Sequence, residues 1–386
     1  MRLIDICKRE LISSVKDPKR LLFLMGALWA YFLIFGALYL PGMVRDIPLV
    51  IYDADQTTLS RQLVQEIQDN DAFVCQLEAD TEEAMLKSLA EKETFVAVEI
   101  PADFSKEVRN GRYSNVMFMV NGSNMVFTSM SGLALQDTVN TFSDKVAVKQ
   151  MALRTGVNNE RLSQKLTPVS FNWRILNNPT QSYLLFFCVG LALTAFQTGT
   201  LMTVGAAVHQ DLTEFKLLEG TPLPRLLLGK FIALWLLAQC SFIPFLLWGK
   251  DIWGINMHCS FWDIYLLGAV GSGAFICLGL GLAPYFKDEM NYIRACLLYV
   301  VPAFLLSGYT WPLFAMPDYM QWFAKVFFPI TWFITPARSL VLSGATEHYG
   351  LNILVLALMA LLALPLAIRG YKVKYAAWKL KHPADA

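Results

Sequence analysis

The chain has 386 residues, of which 55% are hydrophobic and only 16% charged, a balance too apolar for an ordinary soluble enzyme. A formal net charge of +1 excludes a strongly basic nucleic-acid binder, and no basic, aromatic-interleaved patch lies outside the flanks of the apolar runs. The totals describe a membrane protein with a sizeable polar part.

Residues 1–20 carry Ile4, Cys7, Leu11 and Val15 at helical steps and end in Lys16-Asp17-Pro18-Lys19-Arg20. This reads as an interfacial helix on a membrane face that turns into a span at the proline. Residues 21–40 are uncharged, enough to cross ~30 Å of hydrocarbon. No small-residue cleavage site follows, so the run reads as a retained span.

From 41 to 179 the composition becomes that of a soluble domain, with 13 basic and 18 acidic residues between 41 and 178. Strand-like runs at 47–52, 73–77, 95–100 and 116–120 alternate with helical periodicity at 57–67, 81–90 and 102–110, which predicts a small α/β domain. A long helical stretch over roughly 125–155 leads back toward the membrane. Asp53 and Asp55 close the first strand, and an Asp-x-Asp there reads as a turn and helix cap, not as a catalytic pair.

Residues 181–208 lack any Lys, Arg, Asp or Glu, as do residues 231–248, and both runs read as spans within 180–208 and 231–313. Between them lies the charged stretch 209–230. Leu212, Phe215 and Leu218 fall on one helical face, with Glu214, Lys216 and Glu219 elsewhere, before Pro222 and Pro224 stop the helix. The stretch reads either as a short amphipathic helix on the membrane face or as a polar loop.

Residues 264–286 form a charge-free span rich in glycine, a signal for close helix packing. Residues 295–313 form the next, with Pro302 inside it. Residues 314–350 are apolar and aromatic but broken at Pro317, Pro329, Pro336 and Gly344, which suits half-inserted or interfacial pieces. Residues 351–368 span once more, and a basic tail occupies 369–386.

Basic residues fix the direction of these six spans. Those in 1–20, 209–230, 287–294 and 369–386 number 16, against 3 in 249–263 and 314–350. By the positive-inside rule both termini and the 209–230 stretch are cytoplasmic, and the 41–179 domain is outside. The fold class expected is an α-helical polytopic membrane protein with six transmembrane helices and an inserted extracytoplasmic α/β domain.

No nucleotide-binding P-loop, HExxH or GxSxG occurs, and the four histidines are far apart in the chain. The seven cysteines stand singly, without metal-ligand spacing. Cys75 and Cys259 both fall on the outer side, and nothing local pairs them. The apolar runs hold no ionisable residue, which argues against ion-coupled transport. Thr194, Gln197, Thr198 and Thr203 recur along the second run, either as interhelical hydrogen bonders or as the lining of a substrate path.

The order of these elements resembles the permease subunits of bacterial type-two ABC exporters over nearly the whole chain. The resemblance is carried by Pro48-Leu49-Val50-Ile51-Tyr52-Asp53 with Asp55 and Leu59-Ser60-Arg61, and by Thr213, Leu217-Leu218, Pro222 and Leu228-Gly229-Lys230. Ser307-Gly308, Met316-Pro317, Pro329-Ile330-Thr331 and Arg338 complete it. Relatives usually carry paired glutamates and a glycine before the threonine, whereas this chain has His209-Gln210-Asp211-Leu212, a departure that fits pairing with a non-identical second permease.

The resemblance implies a bacterial inner-membrane protein whose 209–230 stretch is a coupling helix docked on a separate ATPase subunit. That subunit would bind the ATP and Mg, with no cofactor in this chain. Asp211, Glu214, Phe215, Lys216 and Glu219 are the expected docking residues. Thr194, Gln197, Thr198 and Tyr299 are expected along a path for an amphiphilic or hydrophobic, drug-like or lipid-like cargo. A second permease, as homodimer or heterodimer, and a periplasmic adaptor are the further partners, in a surround of membrane lipid. A different class of function, a non-transporting receptor or scaffold using the outer domain to bind a ligand, remains the alternative.

Overall fold

The computed structural model describes residues 2–155, 176–178, 182–213 and 221–381. The chain divides into two compact units, one comprising Met1–Gly42 and Ile175–Ala386, the other Met43–Arg174.

The first unit is helical. An N-terminal helix, Leu3–Lys16, stops at Asp17, whose carboxylate accepts the Lys19 N–H at 3.0 Å while Pro18 opens the next helix. Among the described residues six helices are long and apolar enough to cross a membrane: Pro18–Leu38, Leu184–Thr213, Leu223–Trp253, Phe261–Tyr285, Glu289–Leu306 and Tyr349–Trp378, called here the first to sixth spans. Between the last two lie Asp318–Phe327 and Pro329–Ser343, two short helices bent by 92° at their break. Pro317 precedes the first and Pro329 opens the second, and Gly344 ends it in the left-handed region.

The fifth span differs from the 295–313 expected. It begins at Glu289, because Asp288 caps it by accepting the Asn291 N–H at 2.8 Å, and it stops at Leu306, just before Gly308 turns with φ +84°. Hydropathy alone places an end where charge begins, whereas the backbone ends where a cap or a turn is available.

Ring packing fills the centre of this unit. Phe32, Phe196, Phe242, Phe275 and Phe333 are all buried, with Phe196 on Phe242 at 5.3 Å and Phe275 edge-on to Phe333 at 5.5 Å. The third and fourth spans are also joined by polar contacts: Trp235 Nε1 donates to the Ala269 carbonyl at 2.8 Å, and Gln239 Nε2 to Ser272 Oγ at 3.0 Å.

The second unit is α/β. Strands β1 (Ile47–Asp53), β2 (Phe73–Glu78), β3 (Val96–Ile100) and β4 (Met117–Val120) form one sheet in the order β2-β1-β3-β4. β1 runs parallel to β2 and β3, and β4 pairs antiparallel to β3. Helices Thr58–Gln68, Glu82–Ala90 and Phe104–Arg109 follow the first three strands, and Met125–Thr155 follows β4. The two central strands read as continuous apolar runs, as strands covered on both faces must.

The Asp-x-Asp reading as a turn is what the side chains do. Asp53 Oδ1 accepts the N–H groups of Asp55 and Gln56 at 3.1 and 3.0 Å, and its Oδ2 accepts the Ser60 hydroxyl at 2.7 Å. Asp55 Oδ2 accepts from Thr57 Oγ1 at 2.6 Å and from the Ser105 N–H at 3.2 Å, tying the turn to the helix after β3.

Candidate functional site

The structure divides the 209–230 stretch in a way the sequence reading does not. Residues 209–213 continue the second span to Thr213, and the third span starts at Leu223, so both flanks of the stretch are parts of long helices. Glu214, Phe215, Lys216 and Glu219 lie outside the described residues. Two helices therefore converge on a connection of nine residues, 214–222.

At the convergence sits a cluster of buried charges. Lys230 is 0% exposed, and its ammonium donates to Glu10 Oε2 at 2.5 Å and to the Ala207 carbonyl at 3.0 Å, with Asp211 Oδ2 at 2.9 Å. Asp211 in turn lies 3.5 Å from Arg9 and accepts the Tyr371 hydroxyl at 3.3 Å. Arg20 is buried beside them: NH1 reaches Glu10 at 3.5 Å and Ser13 Oγ at 3.3 Å, and NH2 donates to Gln210 Oε1 at 2.7 Å and the Ala206 carbonyl at 3.0 Å. Its Nε stands 3.3 Å from Asp17 Oδ2, close enough for an ion pair though not aligned as a hydrogen bond.

The cluster corrects one expectation directly. The span helices do hold buried ionisable residues, Arg20, Asp211 and Lys230, because each helix runs on beyond its charge-free core into the neighbouring polar stretch. These charges sit toward the helix ends, where opposite signs from four helices, Glu10 of the N-terminal helix included, neutralise one another, so no stranded charge enters the mid-membrane region. Asp211, expected as a docking residue, is 2% exposed and fully engaged, which removes it as a direct surface contact in this conformation.

The expected path residues lie on two helices, Thr194, Gln197 and Thr198 on the second span and Tyr299 on the fifth. The Thr194, Thr198 and Thr203 hydroxyls donate to carbonyls one turn back on their own helix, at 2.9, 2.8 and 2.8 Å, as buried threonines in helices commonly do. Thr203 also reaches the Arg20 carbonyl at 3.3 Å, an interhelical bond. Gln197 is fully buried with neither amide atom partnered. Tyr299 donates to the Phe327 carbonyl at 3.2 Å.

Sequence reasoning missed the cluster although it had a signal. Lys230 is a lone charge inside Leu226-Leu227-Leu228-Gly229-Lys230-Phe231, and an isolated charge with apolar neighbours on both sides is one that has a buried partner. Among the described residues no group of His, Cys, Asp and Glu could hold a metal ion, and the seven cysteines are free. Burial raises the thiol pKa of Cys259 and, aided by Glu78, that of Cys75.

Comparison with known proteins adds the family. The profile described as "ABC-2 family transporter protein" matches residues 19–369. A protein named "Probable multidrug ABC transporter permease YbhR" from Escherichia coli (strain K12) is 23% identical over 354 residues, covering 87% of each chain. "Linearmycin resistance permease protein LnrN" from Bacillus subtilis (strain 168) is 21% identical over 384 residues, covering 93% of this chain and 97% of the relative. With the matched region covering most of the chain and reaching into all six candidate spans, the chain belongs to the ABC-2 family of transporter permeases and is a multi-pass membrane protein.

Proposed function

We propose that the chain is the permease subunit of an ATP-driven bacterial exporter that moves amphiphilic or hydrophobic molecules out of the cytoplasm or inner leaflet. Membership of the family supports a separate ABC ATPase as its source of energy, and the names of the two relatives support a drug-like cargo. The ATPase, carrying ATP and Mg, docks on the connection between the second and third spans through Glu214, Phe215, Lys216 and Glu219, on the cytoplasmic side. A second permease, identical or not, completes the pore, and the α/β unit faces outward, where an adaptor can reach it.

The observation that carries this reading is the buried charge cluster. It joins the N-terminal helix, the first turn of the first span, the end of the second and the start of the third at the two roots of the docking connection. A push on the connection then moves all these elements together, as a linked body and not as a flexible loop. Asp211 serves here by holding Lys230, not by touching the ATPase.

The test is co-purification and transport with the candidate ATPase in proteoliposomes. Glu214→Ala with Lys216→Ala is expected to lower ATP-driven efflux at least tenfold while the permease keeps its fold. Unchanged efflux in that variant, or a permease that brings no ATPase with it from a complex-preserving detergent, overturns the proposal.

A further inference from the structure

Next to the charge cluster, and sharing its Arg20–Asp17 pair, a cleft of about 890 Å³ opens between the N-terminal helix, the start of the first span, the end of the second, the start of the fifth and the tail of the sixth. Three lysines stand around it, Lys16, Lys287 and Lys374. Lys16 and Lys287 are exposed, Lys374 donates to the Phe286 carbonyl at 3.0 Å, and among the described residues none of the three makes an ion pair. The carboxylates of the cleft are mostly engaged. Asp17 faces Arg20 and caps a helix, and Asp288, which accepts from Asn291 N and Nδ2 at 2.8 and 2.9 Å, and Glu289 are left against the three lysines, a surplus of one positive charge.

A second observation concerns the wall of the cleft. His209 lines the cleft and is 8% exposed. Its Nδ1 lies 2.9 Å from the Gly205 carbonyl, a geometry that requires hydrogen on Nδ1, and its Nε2 is buried without a partner. A buried polar nitrogen left unpaired is unfavourable, so a structure keeps one where something else supplies the partner. With hydrogen on Nδ1, a neutral Nε2 is an acceptor suited to a headgroup hydroxyl, and an imidazolium Nε2 would donate to a phosphate oxygen.

The walls complete the description. Ala206, Leu212 and Ala377 make one side apolar, and Trp378 contributes an aromatic surface. Because the cleft lies at the ends of four candidate spans, it sits at headgroup depth when those helices cross a bilayer. Surplus positive charge, a buried nitrogen and an apolar wall at that depth match a phosphate-bearing headgroup with its acyl chain lying outward.

We propose that this cleft binds the phosphate of an anionic phospholipid, seated between Lys16 and Lys287 against His209. A free phosphate ester shares the headgroup chemistry but not the use of the apolar wall. Its lining ends at Thr213, before the 214–222 connection, and holds none of Thr194, Gln197, Thr198 and Tyr299, so its occupancy can be measured with neither cargo nor ATPase present.

The experiment uses the full chain in nanodiscs of phosphatidylcholine alone or with phosphatidylglycerol, read by native mass spectrometry and by thermal melting. The wild type is expected to retain phosphatidylglycerol selectively and to melt higher in its presence. Lys16→Gln with Lys287→Gln is expected to weaken retention roughly fivefold for each lysine, leaving the melting in phosphatidylcholine unchanged. His209→Gln, which leaves the lysines in place, is expected to weaken it less. Glycerol 3-phosphate stabilising the wild type in phosphatidylcholine as well as the lipid does would uphold the phosphate chemistry and overturn the lipid as its source. Equal retention of phosphatidylglycerol by wild type and both variants overturns the proposal, whatever the transport assay shows.

Discussion

At the scale of single residues the structure is organised by Lys230. Its ammonium has left water completely, and the cost is offset only because Glu10, Asp211 and a backbone carbonyl surround it. Lys230→Met strands two carboxylates, which ordinarily costs about 3–5 kcal/mol. Here the lower end is expected, since Arg20 still faces Glu10 and Arg9 still faces Asp211, each at 3.5 Å. Thermal melting in detergent should show the loss, and adding Glu10→Gln to the variant should recover part of it by removing one stranded charge. No recovery would mean that Glu10 is already satisfied by Arg20 alone. A second residue-level expectation concerns Cys75. Its raised pKa means less thiolate at neutral pH than a free cysteine has, so iodoacetamide should modify it slowly, with a rate still climbing above pH 9. Rapid labelling at pH 7 would contradict that placement. The contrast between these residues shows what sequence reading can reach. That Asp53 and Asp55 form a turn was legible because most of their partners, Gln56, Thr57 and Ser60 among them, lie within a few positions. The charge cluster was not, because Glu10 and Lys230 are 220 positions apart, and the apolar neighbours of Lys230 signal a buried partner without saying where in the chain it lies.

Elements are read by period and composition, and they end by local chemistry. The α/β unit was legible almost strand for strand, since the strands are short apolar runs separated by helices with their own apolar stripe. The 209–230 stretch was not, for its charges mark a change of environment without breaking the helix, and the second span simply continues through His209 to Thr213. How closely two helices approach is a further property of elements, and at Gly199 it is decided by a missing atom. A Cβ there would fall within the van der Waals radius of the Phe23 carbonyl oxygen, on the backbone of the first span. A backbone atom cannot swing aside as a side chain can. Gly199→Ala is therefore expected to force the first and second spans apart and to destabilise by about 1–3 kcal/mol or more. Gly273→Ala is the matched control, because its Cβ would meet only the Phe231 ring at an ordinary 3.5 Å. Melting midpoints that fall for the first and hold for the second bear out the close approach, and equal midpoints would refute it.

For the whole molecule the open quantity is direction across the membrane, which is a matter of charge and not of packing. Sixteen basic residues flank the ends of the spans that carry the N-terminal helix, the buried cluster, the 287–294 turn and the C-terminal tail, against three on the other set of short loops. Each lysine or arginine resists transfer across a membrane held negative inside, so the expectation is that the first set lies in the cytoplasm. Two consequences would follow together. The connection between the second and third spans would meet the nucleotide pool, and the α/β unit, with 13 basic against 18 acidic residues over 41–178, would lie outside, where a net negative domain meets no electrostatic barrier to export. The prediction is read on intact cells with a membrane-impermeant maleimide. Tyr113, 88% exposed in the α/β unit, supplies one site as Tyr113→Cys, and Met290, 57% exposed at the start of the fifth span, supplies the other as Met290→Cys. The first should label in intact cells, and the second only after the membrane is opened, each measured above the background of the native cysteines. The reverse pattern would put the charge cluster and its connection on the face away from ATP. No coupling through Lys230 could then serve an ATPase, and the permease reading would have to place the docking surface in the α/β unit instead.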